Sequence, residues 1–150
     1  MTMRKILALI LAFVAVPAFA DHPGDRLDEV MEQLDWDDKQ RAYRLLRSTL
    51  HVLRDRIQLD ENVQFAAQLP ILVRGIFYEG WQPSQPCTDQ KHAADFVASV
   101  EAAFDTDPNA DPEAAVRAAL AVIAKHVSAG EIDDIKSSLP PGIRALWPAS

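Results

Sequence analysis

The sequence predicts an all-α fold, a compact helical bundle built from two pseudo-repeated helical units behind a cleavable signal peptide. Three observations carry that prediction. Apolar residues recur at three- and four-residue spacing through most of the chain, the spacing of one face of a helix. A Leu-Pro joint occurs twice, as Leu69-Pro70 and Leu139-Pro140. Laying one joint on the other aligns the two halves at a constant offset of 70 residues without a gap. Val30 then falls on Val100, Arg47 on Arg117, Leu50 on Leu120, Val52 on Val122, Glu61 on Glu131 and Arg74 on Arg144. Leu34 with Phe104, Leu53 with Ile123, Ile57 with Val127, Ile76 with Leu146 and Phe77 with Trp147 keep apolar character. Chance helical periodicity explains some apolar matches, but not the shared joint and both arginines. Neither unit of about 50 residues has much core alone, so the two are expected to bury their apolar faces together.

The elements follow in order. Residues 1–20 combine a basic start (Arg4, Lys5), an uncharged apolar run from Ile6 to Val16 and the triplet Ala18-Phe19-Ala20. This is the form of a secretory signal peptide cut after Ala20; the run is too short for a transmembrane helix. Residues 21–150 are then a single all-helical domain, with repeat units of about 25–81 and 89–147. Asp25 to Leu34 places Leu27, Val30, Met31 and Leu34 on one helical stripe that ends near Trp36. A second helix, about Asp38 to Arg56, carries Leu46, Leu50 and Leu53. Asp60-Glu61 opens a short helix through Leu69, acidic residues sitting well at its positive end.

Pro70 starts the next helix, which carries Ile71, Leu72, Ile76 and Phe77; Gly80 stops it, leaving Trp81 to fold back on the core. Residues 82–88, with Pro83 and Pro86, are a linker too short to separate independent domains. Asp89 to Phe104 is amphipathic through Phe96, Val97, Val100 and Phe104, and Asp105 to Pro112 is a turn. A long helix from Glu113 to Val127 turns Val116, Leu120 and Ile123 inward. Ser128-Ala-Gly-Glu131 has the capping-box pattern, opening a helix that buries Ile132, Ile135 and Leu139.

Charge and cysteine usage narrow the function. The chain holds 15 Lys+Arg against 22 Asp+Glu, net −7; loss of Arg4 and Lys5 with the leader leaves 13 against 22, or −9. Phosphate backbones repel such a surface, which argues against nucleic-acid binding. Cys87 is the only cysteine, so an intrachain disulfide is impossible; it reads as an incidental linker thiol, with pairing to another chain in a disulfide-linked dimer as the functional alternative.

No Gly-x-Ser-x-Gly elbow, phosphate-cradling glycine loop or His-Glu-x-x-His pair occurs, so no catalytic residue is assigned. The histidines are His22, His51, His92 and His126. Cys87 and His92 lie near each other in sequence, yet no second pair stands at ligand spacing, and neither a metal site nor a cofactor is assigned. His126, at the end of a helix whose negative pole favours imidazolium, matches Arg56 in the first half; both read as cations at helix ends. Glu61 and Glu131 read as helix-start residues.

Arg74, Tyr78, Glu79 and Trp81 form the candidate recognition surface. Arg74 and Tyr78 share a helical face, and aromatic residues beside arginine are typical of binding hot spots. The competing reading is structural: Tyr78 and Trp81 pack the junction between halves while Arg74 caps or pairs, as its repetition in Arg144 argues.

The run Ala67-Gln68-Leu69-Pro70-Ile71-Leu72-Val73-Arg74-Gly75-Ile76-Phe77-Tyr78-Glu79-Gly80-Trp81, with His126-Val127-Ser128-Ala129-Gly130-Glu131 and Leu139-Pro140 downstream, resembles the bacterial domain-of-unknown-function family numbered 2267. The resemblance spans nearly all of residues 25–147. It implies a small all-helical domain and supplies no activity or catalytic residue to carry over; the leader is a departure from the plain domain. The functional expectation is a non-catalytic helical module, periplasmic or secreted, that binds an envelope protein or small ligand without stable membrane insertion after cleavage. The rival is a hydrolase or metal-dependent enzyme with a site between the halves, using His92 or His126 with nearby carboxylates.

Overall fold

The computed structural model describes residues 23–104 and 110–149, so the leader and most of the 105–112 turn lie outside the described residues. Within them the chain forms eight helices and no strand: α1 (Pro23–Leu34), α2 (Lys39–Arg54), α3 (Leu59–Gln68), α4 (Ile71–Tyr78), α5 (Ala93–Phe104), α6 (Pro112–His126), α7 (Ala129–Ser138) and α8 (Pro141–Arg144). Bounds of α5 lie 70 residues after those of α1, and bounds of α7 lie 70 after those of α3.

Local chemistry sets the helix ends. Asp38 and Asp111 cap α2 and α6 by accepting from the backbone N–H of Arg41 and Ala114. At the end of α1, Asp35 adopts φ 53°, and Trp36 N–H returns to Met31 O at 2.9 Å, a left-handed turn that lays Trp36 against Phe104. Ser128 caps α7 by accepting from Glu131 N–H. The return arm of that box comes from elsewhere: Ser128 N–H donates to Gln68 Oε1 at 2.9 Å, and Gln68 Nε2 lies 3.4 Å from Glu131 Oε2. The last residue of α3 thus helps cap the first turn of α7.

Both halves contribute to one buried cluster. Helix α2 lies at its centre, packed against α1, α4, α5 and α6, while α1 and α5 each also touch α6 and α3 meets α7. Leu50 and Leu120 are fully buried, as are Val30 and Val100, Phe65 and Ile135, Phe77 and Ile143. Full burial of such a side chain contributes about 1.5–3 kcal/mol relative to exposure.

The α4 region holds apolar side chains that face outward, and one sequence expectation, for Trp81, needs correction. Ile71 and Leu72 do not enter the core; they are 80% and 62% exposed, and Val73 and Phe77 supply the buried face of α4 instead. Trp81 also stays out of the core. It is half-buried and stacks on Tyr78, with ring centroids 5.2 Å apart and planes at 21°.

Candidate functional site

The expected recognition residues divide into two environments. Arg74 is committed to the fold: its Nε donates to Ala66 O (2.8 Å), and its Nη2 to Ala67 O (3.0 Å) and Leu69 O (3.1 Å). These carbonyls close the C-terminal end of α3, where a cation also meets the negative pole of the helix. Arg144 does the same to Leu139 O at 3.0 Å.

Tyr78, Glu79 and Trp81 cluster beyond the end of α4. Tyr78 meets Phe77 edge-on and Trp81 face-on. Glu79 accepts from Arg47 Nε at 2.8 Å, and that hydrogen bond holds its carboxyl below its ordinary pKa. Both side chains are largely exposed, so the pair contributes little stability. His51 contacts Ile76 O at 2.6 Å; burial pushes its pKa down against that hydrogen bond, favouring the neutral ring.

Arg54, which sequence reasoning left unmarked among the arginines of α2, organises this end of the molecule. Only 7% exposed, it donates from Nη1 to Phe77 O (2.8 Å) and Glu79 O (2.9 Å) and from Nε to Asp55 Oδ1 (3.0 Å). It thereby holds the last carbonyls of α4, after which Gly80 at φ 67° turns the chain out into the 81–88 loop. The far end of the loop is tied to the α2–α3 turn: Thr88 N–H donates to Asp55 O (3.0 Å), and the half-buried Cys87 thiol donates to Ile57 O (3.1 Å). Asn62 braces the same turn from below, its Nδ2 donating to Arg54 O (3.0 Å) and Ile57 O (3.1 Å).

Between loop and turn lies a cleft of about 590 Å³, bounded by residues 54–62 on one side and 80–88 on the other. That volume is in the range of small-ligand sites, roughly 300–1,000 Å³. Trp81 stands in its wall; Arg74, Tyr78 and Glu79 do not line it. The signal available in the sequence was Gly80-Trp81 followed by two prolines. The arginine and asparagine beneath could be found only once α2 and α3 were placed.

The titratable residues weighed for chemistry are held separately. His126 Nε2 meets Glu29 Oε1 and Lys125 Nζ meets Glu29 Oε2, each at 2.9 Å. Burial pushes the Glu29 carboxyl up, but the hydrogen bonds and charges of Lys125 and His126 outweigh it and hold the pKa below its ordinary value. His126 therefore joins α6 to α1 rather than only capping its own helix. Arg56, its counterpart, reaches Val52 O, Gln90 and Ser99 and lies over the Phe96 ring. His92 is exposed just before α5. Among the described residues no group of three or more His, Cys, Asp or Glu side chains is placed to hold a metal, and no helix is long and apolar enough to cross a membrane.

Comparison with known proteins agrees with the helical architecture in extent. The family described as "Uncharacterized conserved protein (DUF2267)" matches residues 25–146. No curated protein matches the chain.

Proposed function

Since the chain belongs to the DUF2267 family of uncharacterized conserved proteins, a description that carries no activity, we propose from its own geometry that it is a non-catalytic binding module of the cell envelope. The observation that carries this reading is the cleft between the α2–α3 turn and the 80–88 loop, walled by Trp81 and floored by buried Arg54. The loop is tied at both ends, by Arg54 and by Thr88 with Cys87, so its wall is positioned before a ligand arrives. Tyr78 and Glu79 extend the same surface past the cleft, while Arg74 is spent on the carbonyls at the end of α3.

Export is part of the proposal and rests on the Arg4-Lys5 start, the apolar run and the Ala-x-Ala triplet. Mass spectrometry of the native protein should find an amino terminus at Asp21. An intact leader in a membrane fraction would replace a released protein with an anchored one. The two-copy construction of one domain is likewise proposed, supported by the gap-free offset of 70, by equal spacing of α1 to α5 and α3 to α7, and by the shared carbonyl-capping role of Arg74 and Arg144.

The binding role is tested by capture from envelope extract on the immobilised protein, reading both protein and small-molecule fractions. Trp81→Ala, with helicity intact by circular dichroism, should lose what the parent captures, whereas Arg74→Ala should keep it. Retention by Trp81→Ala would move the site elsewhere.

A further inference from the structure

We propose that the cleft takes a short neutral saccharide, with Trp81 as the platform and the surrounding carboxamides and Arg54 as the hydrogen-bonding rim. The inference rests on the binding reading above and adds the ligand class. Trp81 has one face covered by Tyr78 and lies half-buried in the cleft wall, so its ring is held in place by its stacking partner. A pyranose ring offers such a surface a face of C–H groups while its hydroxyls point sideways. Aromatic side chains suit that mixture, burying apolar area beside polar contacts.

The rim supplies what hydroxyls require. Each hydroxyl both donates and accepts, and a carboxamide offers both functions from one planar group. Gln58, Gln82 and Gln85 line the cleft and are exposed. Gln58 stands at the N-cap of α3 yet makes no side-chain capping bond, and the 2.9 Å bond from Gln85 Nε2 to Gln82 Oε1 leaves Gln82 a free amide nitrogen and Gln85 a free carbonyl. Arg54 spends Nε and Nη1 on Asp55, Phe77 and Glu79, and its Nη2 has no acceptor among the described residues. A ligand oxygen satisfies that donor.

Charge decides against an anion. Arg54 is the only cation of the lining and is paired with Asp55, the one acidic residue of the lining, and the whole chain is at −7. A carboxylate or phosphate entering the cleft would meet a single guanidinium already paired with the Asp55 carboxylate. Polar lining opposes a purely apolar ligand, which would strip water from those carboxamides without replacing their hydrogen bonds.

The test is a nitrogen-15 NMR titration of the purified full protein, following the Trp81 indole N–H. Probes are maltose, cellobiose and N,N′-diacetylchitobiose, each to about 10 mM, a range that detects dissociation constants near 1 mM. At least one should shift the Trp81 signal saturably. Gln82→Ala should weaken that binding at least about tenfold, equivalent to about 1.4 kcal/mol. Trp81→Ala, followed through the Gln82 and Gln85 side-chain amides, should abolish it while the melting temperature holds. Parallel titrations use nicotinamide and uracil, planar amides that stack without a hydroxyl rim. Shifts at Trp81 from these but from none of the saccharides would overturn the saccharide assignment and leave the cleft a binding site. Silence from every probe would overturn the assignment and count against the cleft itself, and saccharide binding that persists in Trp81→Ala would place the sugar elsewhere.

Discussion

Arg54→Met is the sharpest test of how the cleft is held together. The substitution keeps an unbranched apolar stem in a site only 7% exposed and removes the hydrogen bonds to Phe77 O and Glu79 O. Hydrogen bonds from a charged donor are each worth about 1.5–3 kcal/mol in folded proteins. The contact with Asp55 adds little, because that carboxylate is half exposed. Against the loss stands the desolvation regained when a buried charge is deleted, which in some proteins makes an apolar replacement neutral. Here two carbonyls at the end of α4 remain behind without their donor, so the loss should win, at about 2–4 kcal/mol. With an unfolding entropy of about 2.1 cal/mol/K per residue, a domain of this size loses roughly 4 °C per kcal/mol, so the melting temperature should fall by about 8–16 °C. Circular dichroism measures that fall, and limited proteolysis should show faster cutting within residues 81–88, whose near end is then untied. A melting temperature lowered by less than about 2 °C, with the loop no more sensitive than before, would refute the assignment of Arg54 as its tether.

Leu50→Ala and Leu120→Ala, both fully buried, should each cost about 2–5 kcal/mol in urea unfolding; a loss below about 1 kcal/mol at either would contradict its core placement. Arg74→Ala should cost about 1–3 kcal/mol by releasing the carbonyls of Ala66, Ala67 and Leu69, as urea unfolding will show, without changing ligand binding. Burial, with Glu61 and Asp134 nearby, raises the Glu131 pKa above its ordinary 4.5, so the unfolded chain ionises first as pH rises and stability is lost between the ordinary and the raised value. Glu131→Gln should therefore melt higher than the parent above that window and remove this part of the pH dependence. Glu29 has the opposite sign: its lowered pKa adds stability above the ordinary carboxylate range that is lost as pH falls, and melts of Glu29→Gln across the acid range should show a shallower decline.

Legibility followed the range of the interactions. Helix type and order could be read because apolar spacing, Asp and Ser caps and the Pro70 and Gly80 stops act within a few residues of themselves. Burial within α4 could not, because Ile71, Leu72, Val73 and Phe77 are all apolar and only the docking of α4 on α2 and α3 decides which of them point inward. Trp81 was recognisable as a large aromatic past a glycine, but its partner in stacking was not. Arg54 and Asn62 carried no local mark: their roles arise from bonds to Phe77 and Glu79 in one case, and to the carbonyls of the preceding turn in the other. His126 shows the same limit, since its proximity to Glu29 spans 97 residues.

Several residues that build the cleft differ from their counterparts at the 70-residue offset. Arg54 and Asp55 correspond to Ala124 and Lys125, Gln58 to Ser128, and Asn62 to Ile132. Each exchange has a physical consequence. Ser128 caps its helix, whereas Gln58 leaves the equivalent helix start open. Ile132 fills core, whereas Asn62 spends its amide on the turn beneath the cleft. Ala124 has no hydrogen-bonding side chain with which to hold a following loop, while Arg54 anchors the nine residues from Gly80 to Thr88. Positions that match across the offset, such as Leu50 with Leu120 and Arg74 with Arg144, maintain packing and helix ends that both halves need. Exchanging Asn62 for the isoleucine found at its counterpart should therefore preserve helicity while loosening the 54–62 turn, and hydrogen exchange at Arg56 and Thr88, whose N–H groups donate to Leu53 O and Asp55 O, is where that loosening should register first. Uniform protection across the two positions in Asn62→Ile would show that the turn is held by its backbone alone, and that the differences across the 70-residue offset are incidental to the cleft.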